Sequence, residues 1–177
     1  MDRVSQVKRT EERLDLSLKI SSRQAEIAVI GLGYVGMSLA VEFAEAGFPV
    51  TGIDVDSDRV AAVNMSESYL PDIPSDRLRA IVRGEGSEGT PGLLATDDYE
   101  AMERADVAVV CVHTPLSKTR EPDLSHIIAA TEQIASRLTS GMLVVLESTT
   151  YPGTTEEVIL PRLQSSGGRS LEAGKDF

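Results

Sequence analysis

Four short stretches carry the residues that could do chemistry. Gly31-Leu32-Gly33-Tyr34-Val35-Gly36 spaces three glycines as G-x-G-x-x-G, and Asp54 follows 18 residues after the last of them. "VCVHTP" holds the only cysteine, Cys111, beside His113 and Thr114, and "ESTTYPGTTEE" runs from Glu147 through a series of hydroxyls. Glycines in that order suit a strand-to-helix turn: Gly31 for the tight bend, Gly33 for close approach of the backbone to a pyrophosphate, Gly36 for close helix–strand packing. The helix that begins behind them offers free N–H groups and a positive dipole end to an anion. Asp54 closes a second strand, where a carboxylate can accept hydrogen bonds from both hydroxyls of an adenosine ribose. The same charge repels a 2′-phosphate, so the expected cofactor is NAD rather than NADP. Arg59 works against that preference, because a guanidinium five residues on can stack on adenine or meet a phosphate. The plainer reading of Asp54 is a cap for the next helix.

Cys111 sits in the apolar run "VAVVCV" with no basic neighbour to lower its pKa. A nucleophilic thiolate needs an electropositive, partly exposed setting, so Cys111 reads as part of a wall. His113 lies just past the strand and either faces the ligand or merely faces water. Cys111, His113 and His126 match no common zinc spacing, so no metal is expected. Thr114, fixed by Pro115, can bond to ribose or pyrophosphate, and Thr149 can hold a nicotinamide ribose or a catalytic water. Thr154 with Glu157 has the pattern of a capping box.

These residues need elements to position them. From residue 26 onward, short apolar runs alternate with runs of helical period, the pattern of a parallel sheet covered on both faces. Strands are predicted at 26–31, 49–55, 106–112 and 142–148, with a further short one in "GLLAT". Helices are predicted at 34–47, 56–64, near 75–83, 98–104 and 123–138, the last capped by Asp123, and another opens at 153 with Pro161 limiting or kinking it. "RGEGSEGTPG" reads as a flexible surface loop, and "LEAGKDF" as the approach to a further strand. The expected fold class is α/β, a Rossmann-type doubly wound parallel sheet, expected to be truncated at its carboxyl end. In such sheets ligands bind beyond the carboxyl ends of the strands, where the strand order reverses, so the four stretches should converge there.

Composition narrows the function classes. A chain of 177 residues with 41% hydrophobic content can bury one core, which argues for a single domain. Seventeen Lys and Arg against 28 Asp and Glu give a net charge of −11, which disfavours nucleic acid and anionic membrane as partners. The apolar runs are strand-sized and the first 25 residues are charged throughout, so neither a signal peptide nor a membrane helix is read, and a cytoplasmic location is expected. One cysteine cannot close an internal disulfide, consistent with a reducing compartment.

Three blocks together, "VIGLGYVGMSLAVEFAEAGFPVTGIDVD", "VVCVHTPLSKTREPDLS" and "LVVLESTTYPGTTEEV", resemble the UDP-glucose/GDP-mannose dehydrogenase family of nucleotide-sugar 6-dehydrogenases. The wording is most similar to its UDP-N-acetylglucosamine 6-dehydrogenase branch, and the resemblance runs from about residue 20 to the end. It implies oxidation of a sugar C6 alcohol to a carboxylate in two steps with two NAD+, through a thiohemiacetal and a thioester on a catalytic cysteine. It also implies cofactor contacts at Gly31, Gly33, Tyr34, Val35, Gly36, Asp54, Arg59, Thr114 and Thr149, with Thr149 positioning the catalytic water. The family's nucleophilic cysteine, lysine and asparagine fall beyond the point matching Phe177. Cys111 instead matches a strand cysteine of the family. Two departures are His113, where the family has proline, and Met37-Ser38, where it has Leu-Pro.

The expected organisation is therefore an amino-terminal extension over 1–24, helical or disordered, and an incomplete NAD-binding domain over 25–177. The resemblance implies that the family's central dimerisation segment and nucleotide-sugar-binding domain are absent from this chain. The complete enzyme is expected to be a homo-oligomer acting on a UDP-sugar, and the fragment alone to be inactive, with an open sheet edge that promotes self-association. A β-hydroxyacid dehydrogenase of the 6-phosphogluconate type and a non-catalytic NAD-binding module are the competing readings.

Overall fold

The structure is a computed structural model that describes residues 16–84, 89–115, 122–165 and 170–177. Five parallel strands form its centre: β1 (Ile27–Ile30), β2 (Pro49–Ile53), β3 (Gly92–Thr96), β4 (Val107–Val110) and β5 (Leu143–Leu146), in the order β3-β2-β1-β4-β5. β1 and β4 are buried at every position, because helices cover both faces, so they read as unbroken apolar runs rather than alternations. The chain winds outward from β1 to β3, returns to lay β4 against the other side of β1, and so reverses the strand order between β1 and β4.

Successive side chains of a strand point to opposite faces, and the core divides accordingly. Ile27 and Val29 of β1 meet Met37, Ala40, Val41 and Ala44 of helix α1 (Tyr34–Glu45) on one face. Ala28 and Ile30 meet Ile127, Ala130 and Ile134 of α4 (Ser125–Arg137) on the other. Each fully buried Val, Ile or Met side chain among these contributes about 1.5–3 kcal/mol. Helix α2 (Ser57–Asn64) follows β2, and α3 (Ser75–Arg79) is a single turn.

Several elements differ from the sequence-based expectation. The segment Tyr99–Arg104 is a 3-10 helix, begun by Asp98, whose carboxylate accepts from Glu100 N–H at 2.8 Å. Asp123 caps α4 from one residue further out than expected, taking Ser125 N–H at 2.9 Å. The helix opening near 153 begins as a π turn (Thr155–Ile159) and tightens to α5 (Leu160–Gln164), with Pro161 in its first turn, where a missing N–H costs little. Thr154 and Glu157 make no capping box: Thr154 is buried in helical conformation and donates its hydroxyl to Tyr151 O at 2.8 Å. Residues 173–176 form a turn rather than the approach to a strand, with Gly141 N–H donating to Asp176 O at 2.9 Å. Residues 16–21 are helical and docked, Leu16 on the core and Lys19 on Asp106 at 2.7 Å. Part of the predicted flexible loop, residues 85–88, and most of the amino-terminal extension lie outside the described residues. Among the described residues β5 pairs with β4 alone, and no helix is long and apolar enough to cross a membrane.

Candidate dinucleotide site

The glycine loop bridges β1 and α1 in a tightly determined path. Gly31 has φ +92°, and a Cβ there would come within 2.8 Å of Cys111 O, so both backbone angle and space demand glycine. Its N–H donates to Ile53 O at 2.7 Å, extending the β1–β2 ladder by one residue. Leu32 is buried, its branched tip pressed onto Gly52, where a Cβ would lie 2.7 Å away. Gly36 stands against the loop: a Cβ on it would lie 1.8 Å from Gly31 O. Gly36 therefore does not line the crevice described below, and its smallness serves helix-to-loop contact rather than ligand contact. Gly33 is the opposite case, with nothing within 4 Å of its missing Cβ. That open space faces the crevice.

Asp54 is buried just past β2. Its Oδ2 accepts from Leu32 N–H at 2.6 Å and from the Arg59 guanidinium at 3.3 Å, and its Oδ1 accepts from Asp56 N–H at 2.9 Å. The helix-cap reading belongs to Asp56, which takes the Asp58 and Arg59 N–H groups at the start of α2. Asp54 instead ties the glycine loop to β2. Tyr69, from the loop after α2, donates its hydroxyl to Leu32 O at 2.6 Å. Burial, reinforced by the negative charge of Asp54, pushes the Tyr69 phenol up to about 12. The same two causes raise the phenol of Tyr99.

Cys111 is buried behind the glycine loop, and burial together with the charge of Glu147 pushes its thiol up to about 11. It is a neutral thiol at pH 7, as the apolar run implied. Ser148 donates its hydroxyl to Val112 O at 2.9 Å, joining the segments that leave β4 and β5. Thr114 is half-buried, His113 and Thr149 are exposed, and Pro115 O accepts from Asp123 N–H at 2.8 Å, which anchors the far side of the Thr114 turn.

These pieces enclose one crevice of about 670 Å³ above β1 and β4, where the strand order reverses. Every cofactor candidate from the sequence except Gly36 lines it: Gly31, Gly33, Tyr34 and Val35 on one side, Asp54 and Arg59 beside them, Thr114 and Thr149 opposite. Cys111 and His113 line it as well. Glu147, which opens the last of the four stretches, and His126 line it too, and the structure adds Val55, Tyr99 and Ala129, which sequence spacing had not marked. Tyr99 is carried to the crevice by the 3-10 helix, which packs on α4, a long-range contact with no local signature. Among the described residues no group of three or more His, Cys, Asp or Glu side chains gathers as a metal site.

A glycine loop with open space at Gly33, a helix amino terminus behind it and a buried carboxylate at the end of β2 define a Rossmann domain built for a dinucleotide. Residues 25–176 match the UDP-glucose/GDP-mannose dehydrogenase family, NAD binding domain, and the chain belongs to that family. Its cofactor is NAD. It is 34% identical over 155 residues to UDP-N-acetyl-D-glucosamine 6-dehydrogenase of Pseudomonas aeruginosa, covering 88% of this chain and 34% of that protein. It is 37% identical over 151 residues to UDP-N-acetyl-D-mannosamine dehydrogenase of Pyrococcus horikoshii, covering 85% of this chain and 34% of the other. The solved structure of the UDP-D-ManNAc dehydrogenase from Pyrococcus horikoshii superimposes with TM-score 0.74 at 36% identity over 86% of this chain and 34% of that one. A ternary complex of GDP-mannose dehydrogenase from Pseudomonas aeruginosa gives TM-score 0.69 at 30% identity over 81% of this chain and 33% of its own. The chain thus spans about a third of the length of the curated relatives it matches.

Proposed function

We propose that this chain supplies the NAD-binding part of a nucleotide-sugar dehydrogenase that oxidises the C6 alcohol of a UDP-sugar, UDP-N-acetylglucosamine or a related UDP-hexose, to the uronic acid. The observation that carries the reading is the convergence of the glycine loop, Asp54, Thr114 and Thr149 on one crevice at the strand-order reversal. Two of the relatives act, by name, on UDP-linked N-acetylhexosamines. The oxidation removes two hydrides in succession and adds the oxygen of one water, so it consumes two NAD+.

NAD+, when bound, accepts the hydride of each step. This chain's own residues bind and orient. The bare backbone at Gly33 lets a pyrophosphate approach the start of α1, where N–H groups and the helix dipole favour its charge. Asp54 keeps acceptor capacity on Oδ1 beyond its bond to Asp56, and a ribose hydroxyl can use it. Thr114 and Thr149 offer hydroxyls on the opposite side, Thr149 also for holding water. The one cysteine is buried and protonated, so a covalent sugar intermediate requires a thiolate from outside these 177 residues. The domain at 25–177, preceded by an extension over 1–24, binds cofactor without turning over substrate by itself, and the complete enzyme is a homo-oligomer.

Calorimetric titration tests this. NAD+ should bind saturably and more tightly than NADP+, and Asp54→Ala should weaken NAD+ while narrowing the difference. No binding of NAD+ to a folded sample, or tighter binding of NADP+, would overturn the reading.

A further inference from the structure

We propose that Tyr69 is a positioning residue for the dinucleotide loop, holding the Leu32–Gly33 peptide in the one orientation that presents an N–H to a phosphate. The inference rests on the cofactor reading of the crevice and adds to it a residue that does not line the crevice and that neither its motif nor its spacing marks. Leu32 is gripped at both ends of its backbone. Its N–H donates to Asp54 Oδ2 at 2.6 Å, and its carbonyl accepts the Tyr69 hydroxyl at 2.6 Å. The peptide is trans, so its carbonyl and the N–H of Gly33 point in opposite directions. With the carbonyl turned onto Tyr69, the Gly33 N–H points away from Tyr69, and Gly33 lines the crevice.

The clamp answers a weakness that glycine introduces. Rotating a peptide plane changes ψ of the residue before it and φ of the residue after it, and glycine tolerates either sign of φ. Gly33, with open space around its missing Cβ, offers no steric resistance to such a flip, and the flipped peptide would aim a carbonyl oxygen at the phosphate. Two hydrogen bonds on Leu32, with its side chain seated on Gly52, supply the resistance that Gly33 lacks. Tyr69 is itself fixed without any ligand. Its ring and Leu70 pack on the core layer beneath α1, Ile73 is buried, and Ser68 N–H donates to Ser75 Oγ at 3.0 Å. The raised phenol pKa keeps the hydroxyl a donor throughout the neutral range.

The test compares the wild-type 177-residue chain with Tyr69→Phe, which keeps the ring and removes only the donor. NAD+, ADP and adenosine are titrated into each, adenosine by competition against a fluorescent adenine nucleotide. The expected result is a rise of about five- to tenfold in Kd for NAD+ and ADP, the worth of one hydrogen bond, with adenosine unchanged within about twofold. A merely structural role would weaken all three alike, and that outcome overturns the proposal. So does unchanged binding of NAD+ to Tyr69→Phe. If the folded wild-type chain itself binds no NAD+, the cofactor reading of the crevice fails and this inference fails with it.

Discussion

Gly33 and Gly36 belong to one motif, yet alanine at the two positions should do opposite things. At Gly36 the added methyl would lie 1.8 Å from Gly31 O and 3.0 Å from Cys111 Cβ. Non-bonded heavy atoms pack at about 3.5–4 Å, so the overlap with the carbonyl is roughly 2 Å and must displace backbone on one side or the other. Overpacking of that kind costs about 3 kcal/mol, the upper part of its usual range. For a domain of this size the melting temperature should fall by about 6–12 °C. At Gly33 the methyl meets nothing within 4 Å. The backbone there has φ −68° and ψ −162°, an extended conformation open to any residue. Alanine should reduce the freedom of the unfolded chain and leave stability unchanged or higher by about 0.4–1 kcal/mol, a gain of roughly 1–4 °C. It should nevertheless weaken NAD+ at least tenfold, or about 1.4 kcal/mol, because the methyl takes the room the pyrophosphate needs. Scanning calorimetry and NAD+ titration on both variants make the comparison. Gly33→Ala binding NAD+ as wild type, or Gly36→Ala melting as wild type, would refute the division of roles.

Asp54→Ala should do damage on two counts. It strands the Leu32 and Asp56 N–H groups, costing about 1–3 kcal/mol in denaturant unfolding, and it reduces the preference for NAD+ over NADP+ in titrations. Cys111 should resist iodoacetamide at pH 7.5 in the native chain and react faster only as pH climbs toward its value of about 11; rapid labelling at neutral pH would contradict its burial. Glu26 has a carboxyl raised chiefly by burial, opposed by the nearby Arg104. A folded pKa above the unfolded one means the cost is fully present above the folded value and vanishes below the unfolded one. Glu26→Gln should therefore melt higher than wild type at pH 7, with the gap closing as pH falls through the carboxylate range; a constant gap across pH would argue against the desolvation account.

The legible part of this protein was the part encoded locally. β1 and β4 announce themselves as apolar runs because they are buried on both faces, and the glycine loop, Asp54 and the threonines lie at the ends of such runs. Position along a strand was enough to bring them together. Asp123 was readable as a cap because an N-cap acts within three residues, even though it sits one place out. What the sequence did not disclose depends on separation along the chain. Tyr69 meets Leu32 across 37 residues from a segment that reads only as a loop, and its hydroxyl has no partner that spacing could name. Tyr99 reaches the crevice through the packing of a 3-10 helix on α4. The Thr154–Glu157 pattern misled because the turn it opens is π rather than α, which places Thr154 inside the helix instead of at its start.

The register of the sheet sets how this site can change. Thr96, Ile53, Ile30, Val110 and Leu146 pair in one row, so all five strands end level. Each connecting segment is launched from the same height, and its own length decides how far its residues reach: one residue to Gly31 and Asp54, three to Thr149, four to Thr114. A residue gained or lost in one of these segments would re-aim one side of the crevice and leave the others in place. The same change inside β1 would shift its level by about 3.3 Å, turn every following side chain to the opposite face, and disturb both core layers together. The sheet is thus the fixed datum, and the segments above it are the places where cofactor preference can drift without refolding the domain.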